Sequence, residues 1–195
     1  MSNKKNKKIF NLTIVGLMTA IATVIYMGPE IPIVPGVDYM KIDFSDVPAI
    51  LTGVIFGPVQ GILVEVFKNI IHLTRTTTFS IGEIMNVVIG SSMILSMSLS
   101  VKAFKKIFKS NKINLKIFFI SSAITIVVAI VMGWIANLVF TPIFYNIMGI
   151  PLVTETYLAG VWGSTTLNSI KSAFNILPFF PIYFALEKGV KKYTI

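Results

Sequence analysis

A stripe of polar residues runs through the last long apolar segment of the chain, Val161–Leu186. Its members are spaced by four, three and four residues, which places them on one face of an α-helix: Ser164, Asn168, Lys171 and Asn175. Lys171 lies near the middle of the segment, and polar groups at such depth in a membrane are functional hypotheses because they are expensive to bury. The stripe predicts a surface whose amides and single cation bind a polar molecule. The alternative is that the asparagines join helices and that Lys171 pairs with a carboxylate such as Glu83.

Polar side chains also interrupt three other apolar segments. They are Asn137, which follows Trp134, then Glu83 with Asn86, and Glu65 with Lys68. Glu65 and Lys68 are three residues apart, and we interpret them as a mutual ion pair. Asn86 and Asn137 extend the predicted binding surface, although a single asparagine also hydrogen-bonds neighbouring helices. Glu83 either contacts a ligand or stabilises the positive N-terminus of its own helix.

None of these groups has the pattern of a catalytic site. The sequence contains no HExxH motif, no GxxxxGK[ST] loop, no cysteine and a single histidine, His72. A zinc, haem or thiolate site is therefore not expected, and the usual phosphate-binding loop of ATP hydrolysis is absent from the sequence. We predict a protein that is not an enzyme, with no catalytic residue and no metal ligand.

The composition indicates a membrane protein. Of the 195 residues, 54% are hydrophobic and 13% are charged, and the mean hydropathy is +0.81. Soluble proteins contain about 25% charged residues, so this chain has too few polar side chains to cover a soluble globule. A cytosolic enzyme, a disordered protein and a disulfide scaffold are excluded.

Most of the positive charge is concentrated in three lysine-rich segments, each beside an apolar run. They are residues 4–8, 102–116 and 188–192. Membrane proteins keep such clusters in cytoplasmic loops, where anionic lipid and the membrane potential hold them. We therefore assign the net charge of +9 to contact with a lipid bilayer and predict no binding to nucleic acid.

Four segments have the roughly 20 apolar residues that a spanning helix needs: Ile9–Met27, Ile84–Val101, Ile117–Val139 and Val161–Leu186. The stretch Val47–Leu73 is expected to split at Gly57-Pro58, because proline lacks an amide hydrogen and clashes with the preceding turn. Six spans then place all three lysine clusters on one side of the membrane.

The resulting fold class is an all-α integral membrane protein, a bundle of six transmembrane helices in a single domain, residues 1–195. A long outer loop follows the first helix, and another outer loop is expected at 141–160, where Pro142 and Pro151 lie. Both termini are predicted to be cytoplasmic. The first helix is expected to be retained and not cleaved as a signal peptide. The protein is therefore predicted to be a multi-pass component of the cell membrane.

Several of these residues form a pattern that resembles a known family. The pattern comprises Tyr39–Ala49, Gly57-Pro58 with Gly61, Lys68-Asn69 with His72, Gly82-Glu83 with Asn86 and Gly90, and Asn168 with Lys171. In these positions the chain resembles the riboflavin-specific substrate-binding (S) component of energy-coupling factor (ECF) vitamin transporters. The resemblance covers essentially the whole chain and is most specific between Tyr39 and Gly90.

The resemblance implies a membrane subunit that captures riboflavin from outside and delivers it inward. Its implied partners are a transmembrane coupling protein and two cytoplasmic ATPase subunits. On the first helix the family docks on the coupling protein through small residues four apart, and the matching positions here are Gly16 and Ala20.

The resemblance also implies the flavin contacts. Asn137, Asn168 and Lys171 match the family's flavin-binding polar residues, and Tyr39, Met40 and Lys41 match the loop that covers the ligand. Helical facing adds Ser164, Glu83, Asn86 and Asn175, and the aromatic rings of Phe79, Trp134 and Tyr39 are candidates for stacking on the flavin.

The chemistry of a flavin agrees with this set of residues. The isoalloxazine ring is flat and apolar on both faces, whereas its pyrimidine edge alternates hydrogen-bond acceptors with a donor. Carboxamides donate and accept, and an ammonium donates. Riboflavin is therefore expected as the transported ligand and not as a cofactor. FMN and flavin analogues are further candidate ligands. A single cation in the predicted site disfavours a doubly charged phosphate as the main ligand.

Two alternatives stay open at the level of the sequence. One is an S component for a different vitamin, such as thiamine, pantothenate or folate. The other is a small self-sufficient secondary transporter or channel, which six helices without an inverted repeat disfavour.

Overall fold

The computed structural model describes residues 2–28, 31–32, 41–76 and 78–190, with side chains omitted at 2–7, 31–32, 41, 156 and 187–190. The elements in chain order are α1 (Ser2–Met27), β1 (Ile31–Pro32), β2 (Lys41–Ile42), α2 (Asp46–Phe56), α3 (Pro58–His72), a 3-10 turn (Leu73–Arg75), α4 (Ile81–Ile107), α5 (Leu115–Ile147), α6 (Thr154–Ile176) and α7 (Phe179–Val190). The prediction of an all-helical protein is confirmed. A minimal antiparallel hairpin, with Ile31 opposite Ile42, joins the two ends of the first long loop.

Within the described part of the chain, four segments are long and apolar enough to cross a membrane: Lys8–Met27, Ile81–Ile107, Leu115–Ile147 and Tyr157–Leu186. They correspond to the four long spans predicted from the sequence; the second and third extend beyond both predicted ends, whereas the first and fourth begin earlier and end where predicted. α2 and α3, with 11 and 15 residues, are shorter than the roughly 20 residues of a spanning helix.

The predicted break between α2 and α3 is present and lies at Gly57. This residue has a φ of 119°, a conformation that residues with a side chain rarely adopt, and Pro58 begins α3 at the position where its missing amide is harmless. The two helices then pack closely, since a Cβ on Gly61 would lie 2.7 Å from the Cα of Gly53. Gly53 and Gly61 are therefore packing residues at the contact between α2 and α3.

The outer loop predicted at 141–160 is wrong, because α5 continues through Pro142 to Ile147. Proline at this position cannot donate to the carbonyl of Leu138, one turn earlier. The hydroxyl of Tyr157, on α6, donates to that carbonyl instead, at 3.4 Å. The real connection between α5 and α6 is therefore the short segment 148–153.

The last predicted helix, Val161–Leu186, is also divided. α6 ends at Ile176 and α7 begins at Phe179, because Pro178 lacks the amide donor that would continue the helix and clashes with its preceding turn. The polar stripe lies wholly on α6, before this interruption.

The apolar core occupies the half of the bundle away from the start of α4. Its fully buried members come from α2, α3, α4 and α5: Ile50, Ile55, Val64, Ile94, Met97 and Ile117. The opposite half, where α1 and α3 end and α4 begins, is built largely from polar side chains. We call it the cavity end of the bundle.

Candidate functional site

A cavity of about 330 Å³ opens at the cavity end. Its wall comprises the end of α1, the start of α4, the second half of α5 and the part of α6 between Gly160 and Lys171. Pockets for small molecules typically enclose about 300–1,000 Å³, so the volume fits a small organic ligand. Six of the side chains predicted from the sequence line it: Glu83, Asn86, Asn137, Ser164, Asn168 and Lys171.

Lys171 is held by two oxygens from other parts of the chain. Its ammonium lies 3.0 Å from Oδ2 of Asp43, which precedes α2, and donates to Oδ1 of Asn86 on α4, also at 3.0 Å. The Asp43 side chain is 3% exposed and that of Lys171 14%. Burial alone raises the pKa of Asp43, but the ammonium groups of Lys171 and Lys68 outweigh it and hold that pKa at about 2. The pair is therefore charged at neutral pH.

Asn137 lines the cavity and has a buried side-chain acceptor. Its amide nitrogen donates to the carbonyl of Gly133 at 2.8 Å and lies 3.2 Å from the Thr165 hydroxyl. Its side-chain oxygen Oδ1 is buried and has no hydrogen-bond partner among the described residues. A buried acceptor without a donor destabilises a protein by about 1–3 kcal/mol, so this oxygen favours a ligand that brings an N–H or O–H group.

Glu83 is engaged by a network at the rim of the cavity. Its carboxylate lies 2.9 Å from Nδ1 of His72 and accepts hydrogen bonds from the hydroxyls of Thr76 and Thr78. Glu83 is therefore not the partner of Lys171: the alternative that Lys171 pairs with a carboxylate is borne out, but that carboxylate belongs to Asp43. Glu83 also lies in the first turn of α4, the position expected for an acidic group at the positive helix N-terminus, and the Thr78 hydroxyl accepts there from the amide of Gly82 at 3.1 Å.

A second lysine, Lys68 on α3, forms an ionic cluster that is closed to the cavity. The predicted pair with Glu65 is confirmed at 2.9 Å. The sequence analysis missed the other two partners, since Lys68 also pairs with Asp46 and donates to the Ser45 hydroxyl at 3.1 Å. The side chains of Lys68 and Glu65 are fully buried.

Hydrogen bonds join the two lysine sites on both sides. On one side Asn86 donates to Oδ1 of Asn69 at 3.1 Å, and Asn69 donates to Oε1 of Glu65 at 2.9 Å. On the other side the amide of Ser45 donates to Oδ1 of Asp43 at 2.8 Å. The polar interior is therefore one closed ring of contacts from the cavity wall to the centre of the bundle.

Three of the predicted ligand contacts do not line the cavity. Asn175 lies one turn beyond Lys171 and donates to the backbone carbonyl of Asp43 at 3.0 Å. Phe79 is 60% exposed, and Trp134 packs edge-on against Trp162 with ring centroids 4.5 Å apart. Helical facing suggested Asn175, but it did not resolve how deep on α6 the cavity ends. Phe79 and Trp134 were chosen only as aromatic rings able to stack on a flavin.

Tyr39 and Met40 lie outside the described residues. Lys41 is in β2, and its side chain is likewise outside the described part of the chain.

Sequence reasoning missed several residues at the cavity. Tyr26 stacks on His72 with ring centroids 3.7 Å apart, and both line the wall together with Asp43. Asp43 and His72 belong to the family-like pattern between Tyr39 and Gly90, which was the available signal for them. Tyr26 had no such signal, because an aromatic residue near the end of an apolar helix is ordinary.

The described residues contain no group of three His, Asp or Glu side chains that could hold a metal ion. The two small residues predicted for docking, Gly16 and Ala20, lie on an exposed face of α1. A Cβ on Gly16 would meet nothing within 4 Å, so this stripe is open to an approaching helix.

Comparison with known proteins places these features in a family context. The family model described as "ECF transporter, substrate-specific component" matches residues 10–183. The riboflavin transporter FmnP of Bacillus subtilis (strain 168) is 28% identical over 194 residues, which are 95% of this chain and 96% of that protein. The riboflavin transporter RibU of Staphylococcus aureus (strain TCH60) is 32% identical over 97 residues, 49% of each chain.

A solved structure shares the fold. It is described as the S component of a bacterial ECF transporter, and it superposes with a TM-score of 0.66 at 24% identity, covering 94% of this chain and 99% of the other.

Proposed function

We propose that this chain captures riboflavin and delivers it inward with an ATP-driven ECF module. The premise is that the chain belongs to the family of ECF-transporter substrate-specific components and is a multi-pass protein of the cell membrane. Its relatives are transport subunits and not enzymes. Two of them are riboflavin transporters by name, which supports a flavin as the ligand.

The observation that carries the proposal is the pairing of an acceptor and a donor on one cavity wall. Oδ1 of Asn137 is a buried acceptor with no partner among the described residues, and the Lys171 ammonium is a donor at the same cavity. The pyrimidine edge of a flavin offers a ring N–H flanked by carbonyl oxygens, so one ligand edge satisfies both groups. Asn168 adds an amide that either donates or accepts.

Purification in mild detergent tests the ligand directly. The protein should bind riboflavin in a one-to-one complex that quenches flavin fluorescence, whereas thiamine, pantothenate and folate should not displace the flavin. Displacement by one of those vitamins would assign the chain to a different S component. Riboflavin uptake by vesicles that contain this chain alone would instead support a self-sufficient transporter.

We propose six spans with both termini in the cytoplasm, α2 and α3 being two short central helices. The proposal is supported by the lysines of the α4–α5 connection, which all lie at the end of the bundle opposite the cavity. A cysteine at Ser110, in that connection, should resist an impermeant reagent added to intact cells, and a cysteine at Thr74, at the cavity end, should react. The reverse pattern would invert the topology.

We propose that the exposed stripe of Gly16 and Ala20 docks on the transmembrane coupling protein, which in turn binds two ATPase subunits. Close approach of two helices requires small residues at the contact. Ala20→Trp should abolish co-purification with the coupling protein and leave riboflavin affinity within about twofold of wild type, because the cavity is elsewhere. Leu99→Trp, at an exposed position of α4, is the matched control and should keep both. Lost flavin binding in Ala20→Trp with assembly intact would contradict docking through this face.

A further inference from the structure

Asp43 contacts α6 through both its side chain and its backbone. Its carboxylate pairs with Lys171, and its carbonyl oxygen accepts from Asn175, one turn further along the same helix. The other carboxylate oxygen accepts from the amide of Ser45, which fixes the rotation of the Asp43 side chain. The segment that ends the first long loop is therefore bound to the ligand-lining face of α6.

The contacts of Lys171 leave it one donor for a ligand. An ammonium has three N–H groups, and here one is directed to Asp43 and one to Asn86. The tetrahedral geometry of the nitrogen then fixes the direction of the third. The Tyr26 ring, whose centroid is 5.5 Å from the nitrogen, supports the positive charge from another side without accepting a conventional hydrogen bond.

From this geometry we infer that Asp43 is the positioning residue of the flavin site: it does not contact the ligand through its own hydrogen bonds but aims the third N–H of Lys171 at the ligand's acceptor edge. The inference rests on the proposed function, since it assumes a flavin in the cavity. Asp43 ends the first long loop and orients the lysine that binds the ligand. The conformation of that loop therefore affects the affinity for the ligand.

Asp43 and Asp46 offer a matched comparison. Both are buried aspartates beside a buried lysine, but Asp43 pairs with the cavity lysine and Asp46 with Lys68. A loss of affinity that arises merely from unpairing a buried lysine should appear in both substitutions. A loss that arises from aiming Lys171 should appear only when Asp43 is changed and only while Lys171 is present.

The experiment is a double-mutant cycle on riboflavin affinity in purified full-length protein. Asp43→Asn should weaken binding about 10-fold in the wild-type background and less than twofold in the Lys171→Met background, since residues that act through one contact are not additive. Asp46→Asn should change affinity by the same factor in both backgrounds. Thermal melts of each variant without riboflavin report folding separately.

The outcomes separate the hypotheses. Equal losses from Asp43→Asn in both backgrounds, or no loss in either, would overturn the positioning role while leaving riboflavin as the ligand. Failure of the wild-type protein to bind riboflavin would remove the proposed function itself.

If Asp43→Asn alone does not fold, the inference is tested by Asp43→Asn/Lys171→Met against Lys171→Met. The double variant should match the single one in affinity and melt at a higher temperature, because it no longer holds an unpaired carboxylate. A lower affinity in the double variant would contradict the inference.

Discussion

Lys68 and Lys171 are two interior lysines that lie beside the same tyrosine and have different environments. Their nitrogens are 5.6 and 5.5 Å from the centroid of the Tyr26 ring. Lys68 is fully buried and pairs with two carboxylates, those of Asp46 and Glu65. Lys171 pairs with one carboxylate, keeps 14% of its side chain exposed and lines the cavity.

The difference shows how the same residue type performs two tasks in one polar network. All the contacts of Lys68 are supplied by the protein, so its charge is balanced before any ligand arrives. The charge of Lys171 is balanced by Asp43 alone, and its side chain stays partly exposed at the cavity. Gly90 leaves room for the Glu65 carboxylate, because a Cβ there would lie 2.6 Å from the Glu65 carboxyl carbon. A larger residue would displace the carboxylate that Lys68 needs.

The largest effect should follow from removing the closed lysine. Lys68→Met leaves Asp46 and Glu65 as buried carboxylates without their cation, and such a loss destabilises a protein by about 3–5 kcal/mol. The melting temperature in detergent should fall sharply, or the variant should fail to accumulate. Lys102→Met, at an exposed position of α4, is the control and should change stability by at most about 0.5 kcal/mol. A stable Lys68→Met protein with reduced flavin affinity would show that the two lysines have been assigned the wrong tasks.

The cavity lysine should have its main effect on the ligand. Lys171→Met removes a charged donor, so riboflavin affinity should fall by about 1.5–3 kcal/mol, or roughly 10- to 150-fold. Its effect on stability should be smaller than that of Lys68→Met, because Asp43 keeps the hydrogen bond from Ser45 and the nearby field of Lys68. Fluorescence titration and apo-protein melts measure the two quantities. Unchanged affinity with a large drop in melting temperature would make Lys171 a second structural lysine.

The local features of the fold were predictable from the sequence. The break at Gly57-Pro58 was predicted because glycine and proline act on their own turn, and the stripe on α6 because helical periodicity is a local property. The effects of Pro142 and Pro178 were not predicted: α5 continues through Pro142, whereas α6 ends just before Pro178. Whether a proline ends a helix depends on partners elsewhere, as the Tyr157 hydroxyl shows at Pro142.

The pairings of the polar residues depended on tertiary contacts. Glu65 and Lys68 were recognised as a pair because they are three residues apart, whereas Asp46 and Asp43 reach their lysines from distant positions in the sequence. Spacing also could not show that Asn175 contacts the Asp43 backbone instead of the cavity. The sequence thus identified three polar residues of α6 that line the cavity, Ser164, Asn168 and Lys171, but not the residues that hold them.

Lowering the pH should remove the contribution that the Lys171–Asp43 pair makes to folding stability. The pKa of Asp43 is about 2 against an ordinary value of 3.8, so the folded state favours the ionised form. This stabilises the protein by about 2 kcal/mol at a pH above 4, and the contribution is lost as the pH falls from about 4 to 2. The stability difference between wild type and Asp43→Asn should therefore be constant from pH 8 to 5 and shrink below pH 4. A difference that already changes between pH 7 and 5 would mean that another group titrates with the pair.

The smallest effect should come from the neutral amide next to Lys171 on the α6 face. Asn168 lines the cavity and packs beside Gly133 of α5. A Cβ built on Gly133 would lie 3.7 Å from the Cβ of Asn168. An uncharged hydrogen bond contributes about 0.5–1.5 kcal/mol, so Asn168→Leu should weaken riboflavin binding about 2- to 12-fold, less than Lys171→Met. Its apo-protein stability should be unchanged or higher, because leucine needs no polar partner. Thr166→Leu, on the exposed side of the same helix, makes an equivalent polar-to-apolar change away from the cavity and should leave affinity unaltered. Asn168→Leu could instead weaken riboflavin binding as much as Lys171→Met. The charge of Lys171 would then contribute no more affinity than a neutral hydrogen-bond donor, and Lys171 and Lys68 would differ only in how deeply they are buried.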